Sequence, residues 1–363
     1  MLDFRLDEEQ KMLCDAIERF AHERMRKVFR DAEEEGEIPP DVTQAGWEIG
    51  ILATSLPEAY GGFGEYSTLT GAVATEAFAW GDLAITLSVM APNLAAVPLM
   101  MAGNEAQKAL YLPRFADEHA PGFTSALTEP VVQFNPFKLR TTATAEGDTY
   151  VLNGTKTMVP LAADAEMILV YAAEEEQTQA FLVAANSEGL QVGSRNKLMG
   201  INALPTYMVT LHDVRVPKEN RLGGVDGMEF ATMLTHSRVA LGAAAVGMAR
   251  ASYEYALEYA KQRIQFDEPI AHRQSIAFML ADMATEVDEA RLMVWEAAWK
   301  LDQGQDASRE ATIMKHHVDR MVLAVADRAV QILGGYGYIR EYPVELWLRN
   351  ARGFTTFDGL AIV

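Results

Sequence analysis

A single cysteine, Cys14, stands among 363 residues. One thiol cannot close an intramolecular disulfide, so a disulfide-stapled secreted scaffold is excluded and a reducing, cytoplasmic setting is expected. Cys14 falls on the apolar side of a helical pattern and reads as core filler. Basic residues are also scarce: 31 Lys and Arg face 51 Asp and Glu, a formal net charge of −20. Such a chain repels polyanions, which argues against nucleic acid or an anionic membrane surface as partner; an anionic small molecule needs only a local basic pocket. No apolar run reaches the ~20 residues of a membrane-spanning helix. The opening MLDFRLDEEQ has neither a basic n-region nor an apolar h-region, so no signal peptide is expected. There is no low-complexity tract and no internal repeat. His236, His316 and His317 lack partners at ligand spacing, and no metal site is expected.

What is present is apolar and patterned. Hydrophobic residues make up 49% of the chain, enough for a large core divided over two or three domains. Residues 1–120 read as helical. Phe4 and Leu6 precede Asp7, an N-cap with Gln10 at the capping-box position, and Leu13, Ile17, Phe20 and Ala21 mark one apolar face. The run Glu33-Glu34-Glu35 reads as a solvated helix end. Pro39-Pro40 opens a helix ending near Ile51, and two more cover roughly 67–80 and 83–101. Residues 121–226 change to the period of a β unit. Alternation runs from Leu139 to Ala145, and Glu146-Gly147-Asp148 and Asn153-Gly154 are turn signals, the latter a hairpin signal. Segments 167–172, 180–184 and 207–216 read as further strands. From 227 to 363 the helical period returns, with helices expected near 273–302 and 307–333 and small residues at 242–247 for close packing.

The most informative stretch is QILGGYGYIREYPVELWLRNARGFTTFDG, Gln331–Gly359. It starts at the end of an amphipathic helix, which Gly334-Gly335 is expected to stop through the left-handed conformation open to glycine. It ends in Phe357-Asp358-Gly359, a carboxylate between an aromatic and a flexible residue, and an acid in an apolar pocket can serve as a base.

This order of pieces resembles the acyl-CoA dehydrogenase family. The Gln331-x-x-Gly334-Gly335-x-Gly337-Tyr338 run is similar to the family segment that meets the ADP half of FAD across a dimer interface. Phe357-Asp358-Gly359-Leu360 is similar to the aromatic-Glu-Gly-Thr run that supplies the base. Further matches are Gln107-Lys108-x-x-Tyr111-Leu112-Pro113, Leu127-Thr128-Glu129-Pro130 and Val214-x-Val216-Pro217, so the resemblance spans nearly the whole chain. It implies a mainly α fold with an N-terminal helical domain, a middle β-barrel or sandwich and a C-terminal four-helix bundle. It also implies FAD, α,β-dehydrogenation of an acyl-CoA thioester in fatty acid metabolism, an electron-transfer flavoprotein-type acceptor and a homodimer or homotetramer. Residue by residue, the resemblance makes Asp358 the base. Arg263, Gln265, Phe266, Gln274, Gln331, Gly334 and Gly335 become FAD contacts, with Thr128 on the flavin side, and Arg238 and Gly359 become substrate contacts. An Arg fork suits a diphosphate because it donates two hydrogen bonds.

Several positions depart from the family pattern. Asp358 stands where Glu is usual, one methylene or about 1.5 Å shorter. Ser237 closes the alternative of a base on the helix before Arg238. On the flavin side, Val131-Val132-Gln133-Phe134 replaces the glycines and phosphate-binding Ser. Met158 replaces a Trp, and Pro160, which has no N–H, replaces a Thr. Retained ADP contacts beside eroded flavin contacts leave two alternatives: a half-site subunit completing a partner chain's FAD in a hetero-oligomer, or an enzyme acting on a carrier-bound thioester or another carbon acid.

Overall fold

The computed structural model describes residues 5–363. Phe4, expected ahead of the first cap, lies outside them. Asp7 caps α1 (Glu8–Phe20): its carboxylate accepts from the Gln10 amide at 2.8 Å while the Gln10 side chain accepts from the Asp7 amide. One π-turn, Ala21–Met25, joins α1 to α2 (Arg26–Glu35). Then come α3 (Pro40–Trp47), the short α4 (Ile51–Ser55), α5 (Thr68–Gly81), α6 (Leu83–Val89), α7 (Asn93–Ala102) and α8 (Glu105–Tyr111). The Pro39-Pro40 helix therefore ends at Trp47, earlier than expected, because Gly50 turns left-handed and restarts the chain as α4.

The β unit has seven strands: β1 (Phe123–Ala126), β2 (Thr142–Glu146), β3 (Thr149–Pro160), β4 (Met167–Glu174), β5 (Gln177–Ala184), β6 (Leu190–Arg195) and β7 (Thr206–Pro217). They run in the order β1-β4-β2-β3-β7-β6, with β5 paired to β4. The Asn153-Gly154 hairpin is not there. The β2–β3 turn is Gly147-Asp148, and Asn153-Gly154 lies inside β3, where the pairing with β7 slips between Leu152 and Gly154. Gly154 has φ 152°, and a Cβ on it would come within 2.6 Å of the Thr141 Cα. Glycine is there for close backbone approach, which a local turn rule cannot distinguish from a turn.

The C-terminal helices are α9 (Phe230–Gln262), α10 (Gln274–Asp302), α11 (Ser308–Leu333) and α12 (Val344–Ala351). The small-residue stretch of α9 presses on α5: a Cβ on Gly247 would meet the Glu76 carbonyl at 2.2 Å. Asp302, ending α10, caps α5 from outside, accepting from the Thr68 and Leu69 amides at 2.6 and 3.0 Å. One continuous apolar core joins α1, α5, α9, α10, α11 and the segment after α12. Gly334 does end α11, but with φ 58° and ψ −129° rather than left-handed helical angles; Gly335 keeps a negative φ, and a 3-10 turn follows. The acidic run is corrected too. Glu33 is buried, accepting from the Ala203 amide at 3.1 Å and Arg349 at 3.0 Å, while Glu34 and Glu35 face solvent. No single helix among the described residues is long and apolar enough to cross a membrane.

Candidate active site

The last turn before Asp358 is a 3-10 helix, Phe354–Thr356, packed beneath α11. Phe354 and Phe357 are buried with their rings tilted against each other 5.4 Å apart, while the intervening threonines face outward and Asp358 is half-buried. The Thr128 hydroxyl donates to the Asp358 carbonyl at 2.9 Å. Gly359 follows with φ 73°, and a Cβ there would stand 2.9 Å from Leu127. Positive φ and lack of room together require glycine at this point. Thus Thr128, Asp358 and Gly359 meet, the first from the β unit and the other two from the far end of the chain.

Arg238 lies on α9, half-buried, and donates to the Thr312 hydroxyl of α11 at 2.8 Å. Its neighbour Ser237 is buried with a hydroxyl that has no hydrogen-bond partner. A void of about 20 Å³ adjoins Gly359, lined among others by Leu94, Leu127, Tyr171, Ser237 and Ile362. That is room for about one water. His236 is buried one residue earlier; its Nδ1 lies 3.0 Å from the Tyr66 hydroxyl and 2.7 Å from the Val363 carbonyl, and burial pushes its pKa down.

At the opposite end of α9 a second concavity opens. Arg263, Gln265, Phe266 and Gly335 line a groove of about 770 Å³, floored by Tyr259, Ile332 and Tyr336. Residues 264–269 form a two-strand ribbon with Phe266 and Asp267 at positive φ, which pushes the Phe266 ring 88% into solvent. The Arg263 guanidinium stacks on Tyr336 at 5.3 Å and has no carboxylate partner among the described residues. Gln274, Gln331 and Gly334 are exposed at the ends of the adjoining helices but do not line this groove. An unpaired guanidinium, a glutamine and aromatic faces fit a diphosphate joined to a flat base.

The flavin-side positions differ. Val132 is 92% exposed, Gln133 is held at φ 57°, and Phe134 packs against the apolar cluster next to β1. Met158 takes φ 56°, and its sulfur is approached by the Asn196 amide at 3.7 Å. The Thr157 amide donates to the Thr128 carbonyl at 2.9 Å. Beneath this surface lies a pair the sequence did not disclose. Lys156, fully buried, donates to Glu129 Oε1 and to the Leu127 carbonyl, both at 3.0 Å. Glu129 also accepts from the amides of Arg140 at 2.7 Å and Thr141 at 2.8 Å. Burial drives the Lys156 ammonium down to about 8 against the pull of Glu129. Burial would raise Glu129, but Lys156 and the two amides hold it below its ordinary range. Among the described residues no cluster of His, Cys, Asp and Glu could hold a metal ion.

Comparison with known proteins covers nearly the whole chain. Family models for acyl-CoA dehydrogenase match in three parts: the N-terminal domain at residues 7–119, the middle domain at 124–214 and the C-terminal domain at 226–361. The CarC subunit of a caffeyl-CoA reductase–Etf complex from Acetobacterium woodii is 34% identical over 98% of this chain and 96% of its own. Butyryl-CoA dehydrogenase from Megasphaera elsdenii superposes with a TM-score of 0.91 at 31% identity, covering 99% of this chain and 96% of that one. The FAD complex of PigA superposes at 0.90 with 26% identity, over 99% and 96% of the two chains.

Proposed function

The chain belongs to the acyl-CoA dehydrogenase family and is an oxidoreductase with FAD as cofactor; from that premise we propose that it desaturates a short acyl-CoA thioester with Asp358 as base. The observation that carries this reading is the loop around Asp358: a half-buried residue whose backbone is held by the Thr128 hydroxyl and whose neighbour Gly359 lines a void shared with Ser237 of α9. Bound FAD supplies the acceptor for the hydride that leaves the β-carbon. Asp358 takes the α-proton, and the electrons of that C–H bond form the Cα=Cβ bond as the β-hydride departs. Leu94, Leu127 and Ile362 wall the small void beside Gly359, and their closeness favours a short acyl group. Arg263 and Gln265 hold the diphosphate end of the cofactor.

Arg238 and Arg263 are 25 residues apart on one helix, about 37 Å at 1.5 Å per residue. One copy of the chain therefore presents its groove far from its own base, which supports assembly of each site from two copies, as a homodimer or homotetramer. Electron transfer to an electron-transfer flavoprotein is part of the same proposal, prompted by the Etf complex of the Acetobacterium relative. A second reading is supported by the asymmetry of the two cofactor halves: the Arg263 guanidinium lines a groove with no carboxylate partner among the described residues, whereas Pro160 has no N–H and the Phe134 side chain no donor to offer a flavin. In that reading the chain completes the FAD of a different, intact subunit.

The deciding experiment is the visible spectrum of the chain purified alone, followed by anaerobic addition of acyl-CoAs of increasing length. Flavin bands bleached by short thioesters support the enzyme, and Asp358→Asn should then keep the flavin and lose the bleaching. A protein that stays colourless with added FAD sinks the self-sufficient enzyme and leaves the half-site subunit. Flavin that no acyl-CoA bleaches points to a carrier-bound thioester or another carbon acid.

A further inference from the structure

The base loop is held from a third side, by a buried cation with no place in the chemistry above. Lys315 lies on α11 and is only 9% exposed. Its ammonium donates to both carboxylate oxygens of Asp319, one helical turn on, at 2.7 and 2.8 Å. Its third bond, at 2.8 Å, reaches the carbonyl of Phe354, the first residue of the 3-10 turn that leads into Phe357-Asp358. Burial pushes the Asp319 carboxyl up while Lys315 pulls it down, and the charge of Asp358 adds to the upward push, so the two carboxylates lie within electrostatic reach of each other. An apolar pair would close this part of the core equally well, because replacing a buried ion pair by well-packed hydrophobic residues is commonly neutral or stabilising. What an apolar pair cannot do is fix the Phe354 carbonyl in one direction.

We propose that Lys315, neutralised by Asp319, is a positioning residue that sets the place of the Asp358 carboxylate by anchoring the turn before it. The proposal rests on Asp358 as base. It explains how a short aspartate is kept at one position: Thr128 fixes the loop at Asp358, Lys315 fixes it four residues earlier, and Gly359 admits the exit. With the leading anchor gone, the 3-10 turn rotates about the Thr128 bond and the carboxylate moves with it.

The test compares the full-length wild type with Lys315→Met/Asp319→Leu and with Lys315→Arg. For the double variant the expected result is a kcat lower on the order of 100-fold, the effect of a displacement of about 1 Å. KM should stay within about twofold, since the loss falls on the transition state. Bound flavin should be unchanged. Deuterium exchange of residues 354–360 should rise about tenfold while 308–333 keep their protection, because only the anchor has been removed. Lys315→Arg, which retains charge and donors, should recover part of kcat. A double variant with wild-type kcat and wild-type exchange overturns the proposal. If the wild type turns over no thioester, the assignment of Asp358 fails, and exchange alone decides the anchor: faster exchange confined to 354–360 supports it and unchanged exchange refutes it. If exchange rises throughout 308–333, the double variant has lost its fold, and Lys315→Met alone, which removes the donor to Phe354 and keeps Asp319, is judged by the same two measures.

Discussion

Replacing Lys156 by methionine isolates the buried strut beneath Thr128. The substitution fits the volume of the side chain but leaves the Glu129 carboxylate without its cation, with only the Arg140 and Thr141 amides as partners. Removing one partner of a buried ion pair costs about 3–5 kcal/mol, most of it the penalty of an uncompensated charge. For a chain of this size, with a urea m-value of about 3 kcal/mol/M or more, the unfolding midpoint should fall by roughly 1 M. The pH dependence carries the diagnosis. In wild type, Glu129 sits below its ordinary value, so its contribution is complete above the unfolded carboxylate pKa and is lost as pH falls through the lower folded value. Without Lys156, burial raises Glu129 in the folded state. The folded variant then binds protons more readily than the unfolded chain, and its deficit should shrink as pH drops from 7 toward about 4.3. At the alkaline end, wild-type Lys156 is held near 8 against 10.5 for the free group, so the unfolded chain binds more protons between those values. Wild-type stability should therefore gain as pH rises through that window, and the variant should lack this gain. Urea titrations followed by far-UV circular dichroism at pH 5, 7 and 9 measure all three effects. A deficit under about 0.5 kcal/mol at pH 7, the size of an ordinary surface substitution, would refute the strut. So would a deficit that grows on acidification.

Three further outcomes follow from described contacts. Gly359→Ala should strain the left-handed position and press on Leu127, costing about 1–3 kcal/mol locally; turnover should fall while the far-UV spectrum is kept, and wild-type turnover would refute the requirement for glycine. Arg263→Ala should weaken FAD binding by roughly 1.5–3 kcal/mol, about ten- to a hundredfold in Kd, read as flavin lost on dilution; an unchanged flavin-to-protein ratio would remove Arg263 from the site. Asp82, buried at the cap of α6, is pushed up to about 6 by burial. Its folded pKa exceeds the unfolded one, so stability falls as pH rises from about 4 to 6, and Asp82→Asn, which keeps the cap acceptor, should be more stable than wild type at pH 8 by about 1–3 kcal/mol and not at pH 4; an equal difference at both values would sink this reading.

The long helices were legible because their periodicity persists for many turns: α10 and α11 begin and end within a residue or two of the expected limits. The Asp7 capping box was equally plain, since all its partners lie within four residues. Reading failed where a residue's role is fixed by something distant. Asn153-Gly154 looked like a turn because the sequence does not show Thr141 against the Gly154 backbone. Glu33 looked solvated because its partners, Ala203 and Arg349, are 170 and 316 residues away. Asp358 and the groove residues Arg263, Gln265, Phe266 and Gly335 stand in a family-like pattern, and the fold brings the last four to one groove. What holds the loop at Asp358 was not legible. The Thr128 hydroxyl donates to the Asp358 carbonyl, a tie across 230 residues that no local pattern shows. Lys156 and Glu129 lie 27 residues apart, and only the fold reveals their pairing.

The bond from Thr128 to Asp358 joins residues 230 positions apart and crosses from the β unit to the C-terminal helices. Closing so long a loop is entropically costly, and such contacts are made late, after the local helices have formed. The carboxylate is thus expected among the last groups of the molecule to reach its place. A chain whose helices are complete but whose β unit has not docked holds the same residues and has no assembled site. Competence is in this sense a property of the seam between the two parts, and anything that loosens that seam, by heat or by a distant substitution, should silence the site before it unfolds the protein.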